Sequence, residues 1–150
     1  MDTVRIGDFG RHVDEEVVVR GWLHNKRSSG KLRFLIVRDG SGYAQAVVFK
    51  KAVSPEAWEA VDGAGQESTL QLTGQVKGDD RAPGGYEIDV KSIEVLQSVH
   101  DFPITPKEHG TAFLMENRHL WLRSTRQHAI ARVRHTIVKA TRDYLDDQGY

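Results

Sequence analysis

Cysteine is absent from these 150 residues. That excludes a disulfide framework, a thiolate metal site and a cysteine nucleophile, and it suits a reducing compartment such as the cytoplasm. No apolar run approaches the ~20 residues that a membrane-spanning helix needs. The first ten residues hold Asp2 and Asp8 and no apolar core, so no signal peptide is expected. The seven histidines are scattered, with no pair at a ligand interval beside a carboxylate, so no metal site is expected. Net charge is missing too: 21 basic residues balance 21 acidic ones.

The charge that is present is segregated. Across residues 20–38 lie Arg20, Lys26, Arg27, Lys31, Arg33 and Arg38 with no acid before Asp39. Residues 118–142 hold Arg118, Arg123, Arg126, Arg132, Arg134, Lys139 and Arg142, again without an acid. The compensating carboxylates sit at Asp14 to Glu16, at Asp79-Asp80 and near the C-terminus. Such clustering can present a phosphate-binding face on a neutral protein, or simply two solvated faces.

Apolar runs mark strands at residues 17–23, 32–37, 43–49, 69–76 and 86–96, the fourth with Leu70, Leu72, Gly74 and Val76 in alternation. A polar turn is expected over residues 25–30, and Asp39-Gly40-Ser41-Gly42 reads as a hairpin turn. In the last strand Ile88 and Val90 share one parity and Ile93 and Val95 the other, which calls for a bulge near Lys91-Ser92. Ser54-Pro55-Glu56 opens a short helix, with serine as N-cap and proline at the first helical position. Five strands with a helix between the third and fourth is the element order of an OB-fold barrel. Trp22 and Trp58 read as structural, filling the barrel wall and capping its end.

Residues 99–112 lack any period and carry Pro103, Pro106 and Gly110, which reads as a linker. A long amphipathic helix is expected over residues 124–148, with Ser124 and Gln127 spaced as a capping box and Gly149 as its stop. Ile130, Val133, Ile137 and Tyr144 fall on one face of it. A helix with such a stripe, leaving the barrel by a linker, reads as the start of a further domain in a longer protein.

Gly21-Trp22-Leu23-His24-Asn25-Lys26-Arg27, Leu32-Arg33-Phe34, Val37-Arg38-Asp39-Gly40 and Gln45-Ala46-Val47-Val48 resemble the anticodon-binding OB domain of the aspartyl, asparaginyl and lysyl tRNA synthetases. Phe102-Pro103-Ile104, Lys107-Glu108-His109-Gly110, Phe113-Leu114-Met115 and Arg118-His119-Leu120-Trp121-Leu122-Arg123-Ser124 are similar to the hinge of the asparaginyl members. Trp121 stands where aspartyl enzymes usually carry aspartate. The resemblance implies an OB-fold anticodon-binding domain at residues 1–98, a hinge at 99–123, and the motif 1 helix of a class II α+β catalytic domain from 124 to 150. It also implies a parent that uses ATP and magnesium to form an aminoacyl-adenylate, then charges tRNA. Neither the ATP motifs nor a catalytic residue falls within this segment, and Gly40-Ser41-Gly42 and Gly84-Gly85 lack the helix and lysine of a phosphate loop. Two alternatives stay open: an aspartyl synthetase that charges both tRNAs, and a free-standing OB-fold nucleic-acid binder.

The same resemblance assigns roles. Phe34 matches the ring on which the middle anticodon base stacks, and Gln45 the amide that reads the edge of a uracil there. Arg27 matches an arginine near the anticodon, Lys26 is expected to meet phosphate, and Glu87 matches a carboxylate reading a flanking base. Ile36 departs from the family, where aspartyl members often have aspartate. The stripe of Ile130, Val133, Ile137 and Tyr144 is implied to form a homodimer interface.

Overall fold

The computed structural model describes residues 3–150. Five strands form a closed barrel in the order β1-β2-β3-β5-β4: β1 Glu16–Ser29, β2 Leu32–Arg38, β3 Tyr43–Phe49, β4 Thr69–Gly78 and β5 Tyr86–Gln97. All neighbours run antiparallel except β3 and β5, which are parallel. Alternation drives this closure. Val17, Val19 and Leu23 of β1, Leu35 and Val37 of β2, Leu70 and Leu72 of β4 and Ile88 and Val90 of β5 all bury in one core. Each fully buried side chain of this kind is worth about 1.5–3 kcal/mol.

Gly21 has a steric reason to be glycine: a Cβ there would lie 2.5 Å from the carbonyl oxygen of Arg38. The fifth strand bulges as its parity demands, since Thr73 pairs with Ser92 and Gly74 with Val90, leaving Lys91 unopposed.

Helix α1, Pro55–Gly63, joins β3 to β4. The Ser54 hydroxyl accepts from the Ala57 amide at 3.2 Å, and Trp58 and Val61 pack into the core. A short 3-10 helix at Ile6–Arg11, too brief for any periodicity to announce it, adds Ile6 and Phe9 to the same core. The backbone N–H of Ile6 donates to the Asp39 carboxylate at 2.8 Å.

Two expectations are corrected. Residues 25–29 are not a turn: β1 continues through them, paired with β2, and the reversal is confined to the residues around Gly30, whose φ is +55°. Trp22 does not fill the wall. Its neighbours Gly21 and Leu23 take the inward parity, so the indole lies outside, 37% exposed, with the Arg38 guanidinium 5.1 Å from its ring. Within residues 99–123, expected as a hinge, two short helices form: α2 Thr111–Glu116 and α3 Arg118–Trp121.

Residues from Pro103 onward form a separate compact unit. Its main element is α4, Thr125–Asp147, capped by the Ser124 hydroxyl accepting from the Gln127 amide at 3.3 Å. Ile130, Val133, Ile137 and Tyr144 are exposed on it, between 50% and 65%. Among the described residues, no helix is long and apolar enough to cross a membrane.

Candidate nucleic-acid interface

Outward-facing residues of the barrel fall into register rows. Arg27 of β1 sits opposite Phe34 of β2, which sits opposite Val47 of β3. In the next row Asn25 faces Ile36, Ile36 faces Gln45, and Gln45 faces Glu87 across the parallel β3–β5 pair. These rows enclose a cleft of about 300 Å³ in which Arg27, Phe34, Ile36 and Gln45 meet Asn25 and Lys26. Pro83, in the loop between β4 and β5, completes the lining.

Phe34 is half-buried on the outer side, while Leu35 beside it is fully enclosed. The Arg27 guanidinium lies 4.7 Å from the Phe34 ring centroid, a cation over a π face. The Gln45 amide nitrogen donates to a Glu87 carboxylate oxygen at 3.2 Å. That bond turns the amide so that its carbonyl oxygen and second N–H remain for a ligand. At the β4–β5 side, Lys77 and Asp89 close the row with a 2.8 Å ion pair that raises the lysine above its ordinary pKa.

The long acid-free basic stretch proves largely committed to the fold. The Arg20 Nε donates to Gln71 at 2.7 Å. Arg33 makes a two-pronged contact with Asp62, at 2.6 and 2.9 Å, and lies 4.2 Å from the Trp58 ring. Hydrogen bonding from Arg33 holds the Asp62 carboxyl below its ordinary range. Arg38 pairs with Glu67, a buried residue at φ +68°. His24 lies edge-on to Tyr43 at 5.2 Å, and burial lowers its pKa.

Lys26, expected to meet phosphate, has its ammonium engaged within the fold. Its ammonium donates to the carbonyl oxygens of Val61 at 2.8 Å, Asp62 at 2.6 Å and Ala64 at 3.0 Å. Three protons meet three acceptors, so a phosphate would have to displace one of them. Of the six cations between Arg20 and Arg38, Arg27 and Lys31 have no ion pair or hydrogen bond from their charged ends among the described residues.

Asn25 and Pro83 line the cleft without having been read as site residues. Asn25 was hidden by the expectation of a turn, and Pro83 by its place in a loop far along the chain. No group of histidine and carboxylate side chains among the described residues could hold a metal ion.

A closed OB barrel carrying a ring, a cation and an amide on its outer face has the kinds of group that hold single-stranded nucleic acid. The chain belongs to the family of OB-fold nucleic acid binding domains, whose model matches residues 17–96. It is similar over its whole length to the asparagine–tRNA ligase of Chloroflexus aurantiacus, with 47% identity across 100% of this chain and 34% of that protein. The corresponding ligase of Koribacter versatilis shares 52% identity over 97% of this chain and 34% of its own length. The crystal structure of asparaginyl-tRNA synthetase from Pyrococcus horikoshii complexed with asparaginyl-adenylate superposes with a TM-score of 0.91 at 35% identity. That match covers 100% of this chain and 35% of the crystallised one. All three of these relatives are asparagine–tRNA ligases or asparaginyl-tRNA synthetases by name. The chain spans about a third of the length of the curated relatives it matches.

Proposed function

We propose that these residues are the tRNA-selecting part of a cytoplasmic asparaginyl-tRNA synthetase, a ligase that joins asparagine to its tRNA through an aminoacyl-adenylate. The observation that carries this reading is the outer cleft, where Phe34, Arg27 and Gln45 converge with Glu87 at hydrogen-bond distance behind the amide. Phe34 offers a face on which the middle anticodon base stacks. Gln45 offers one acceptor and one donor, which complement the N3–H and a carbonyl of uracil. Arg27 neutralises the adjoining backbone, and Glu87 both orients Gln45 and takes the amino group of a flanking base.

ATP and magnesium belong to the proposed parent reaction, and the residues here do not fit them. The backbone N–H groups of Ser41 and Gly42, in the glycine turn, are already taken by the Asp39 carboxylate at 2.9 and 3.2 Å. Gly84-Gly85 leads into a strand rather than a helix. No step of adenylation is therefore assigned to this segment. The domain division follows the same reading: an anticodon-binding barrel through residue 98, a hinge to 123, and from 124 a catalytic-domain helix that pairs with a second subunit through Ile130, Val133, Ile137 and Tyr144.

The test is titration of the chain with an anticodon stem-loop of the asparagine tRNA at two salt concentrations. Binding that weakens with salt and exceeds binding to a loop of scrambled anticodon is expected. Equal, salt-insensitive binding to both loops would overturn the proposal.

A further inference from the structure

The first half of β1 turns odd-numbered residues inward: Val17, Val19, Gly21 and Leu23 are buried. Continued alternation would send Arg27 into the barrel. It does not go there, because the register shifts between Leu23, opposite Val37, and Asn25, opposite Ile36. His24 is the inserted residue, and the parity of the strand inverts beyond it. Lys26 then faces the inner side, opposite Leu35, and Arg27 the outer side, opposite Phe34.

A bulge alone leaves this arrangement weakly specified. Residues 25–29 are Asn, Lys, Arg, Ser and Ser, with no apolar side chain to choose a face. A one-residue slip in such a strand exchanges its two faces. What distinguishes the faces is Lys26. Helix α1 has no basic residue in its last turn, and its terminal carbonyls need donors and a positive charge. Lys26 supplies both, reaching from β1 to Val61, Asp62 and Ala64. Its charge is partly withdrawn from water: burial lowers its pKa, and the nearby Asp62 carboxylate opposes that.

We propose that Lys26 is a positioning residue for the base-binding face: by locking its ammonium onto the end of α1 it pins the register of β1 beyond the bulge, and so presents Arg27 on the outer face. The proposal rests on the reading of that face as an anticodon site. A phosphate-contacting lysine next to an exposed arginine is the alternative, and the two differ in measurable ways.

The first measurement needs no variant. In limited acylation of the free chain with an N-hydroxysuccinimide acetate, followed by mass spectrometry, Lys26 is expected to react about tenfold more slowly than Lys31, as about 1.4 kcal/mol of protection requires. Adding an anticodon stem-loop should leave the Lys26 rate unchanged. Reaction at the Lys31 rate in the free chain, or protection arising only when RNA is added, would overturn the proposal.

The second measurement is a double-mutant cycle with the same stem-loop. Lys26→Met is expected to weaken binding about tenfold in the parent and less than about twofold in an Arg27→Ala background, because the two residues act through one another. The same loss in both backgrounds would mean that Lys26 touches the RNA itself, and the proposal fails. If the parent chain binds no stem-loop at all, the reading of the face fails, while the acylation rates still decide whether the clamp exists.

Discussion

Replacing Phe34 by alanine should separate binding from folding, and Leu35 provides the control on the adjacent position of the same strand. Leu35 is fully enclosed in the core, so Leu35→Ala should cost about 2–5 kcal/mol of stability through lost burial and the cavity left behind. Phe34 points the other way. Its ring is half-buried on the outer surface, and its notable partner is the Arg27 guanidinium at 4.7 Å. Losing an exposed cation–π contact costs about 0.5–1 kcal/mol, so Phe34→Ala should leave the urea midpoint close to that of the parent. Its effect on RNA should be larger: one lost base stack is worth about 1–3 kcal/mol, or roughly five- to 150-fold in Kd. Because every base has a π face, the loss should be similar whichever base occupies the middle position. Urea denaturation followed by tryptophan fluorescence, and titration with an anticodon stem-loop, give the two numbers for each variant. The reasoning is refuted if Phe34→Ala destabilises the fold as much as Leu35→Ala, or if it folds and binds RNA like the parent.

Other consequences follow from the same geometry. Arg38 and Glu67 form an ion pair with side-chain exposures of 12% and 4%; Glu67→Ala strands the guanidinium and should cost about 3–5 kcal/mol, so an unchanged urea midpoint would mean the pair does not hold β2 to the start of β4. His24 is held below its ordinary pKa of 6.5 mainly by burial, aided by Arg38 and opposed by Glu67. Its folded form therefore favours the neutral ring, and its stability contribution is intact above pH 6.5 and declines as pH falls from there toward the folded value. His24→Gln should flatten that part of the stability profile, and identical slopes in both proteins would refute the assignment. In the whole protein, Ile137→Asp should shift a dimer toward monomer in sedimentation, because Ile137 is 61% exposed on α4 and forms part of the proposed interface; an unaltered dimer would move the interface elsewhere.

How much of this was legible in the sequence depended on whether apolar residues marked the parity. In β5 the change from Ile88 and Val90 to Ile93 and Val95 revealed the bulge, and the unopposed Lys91 lies there. In β1 the bulge at His24 falls where polar residues begin, so no pattern recorded it and residues 25–29 read as a turn. The outward setting of Phe34 was legible because Leu35 and Val37, on the opposite parity of the strand, claim the core. Simple alternation, by contrast, put Trp22 outside from the start; its size led to a reading as wall filler that its parity contradicts. The Gln45–Glu87 bond joins strands that are parallel and distant in sequence, so only the closed topology brings them together. The basic stretch was legible as composition but not as a field, since Gln71, Asp62, Glu67 and the end of α1 come from later segments to meet it. Helix α4 was legible in full, with both its Ser124 cap and the Gly149 stop at φ +81°, because its signals are local.

The proposed role of Gln45, oriented by Glu87, is to read a uracil at the middle of an anticodon loop. The most direct test measures the affinities of two stem-loops that differ only in uracil or cytosine at that position, for the parent chain and for Gln45→Ala. A tighter complex with uracil is expected, by about 1–3 kcal/mol if both hydrogen bonds form. Gln45→Ala should narrow that gap while leaving the cytosine loop nearly unaffected. Equal affinity of the parent for the two loops, or a gap that survives Gln45→Ala unchanged, would mean that Gln45 does not read this base.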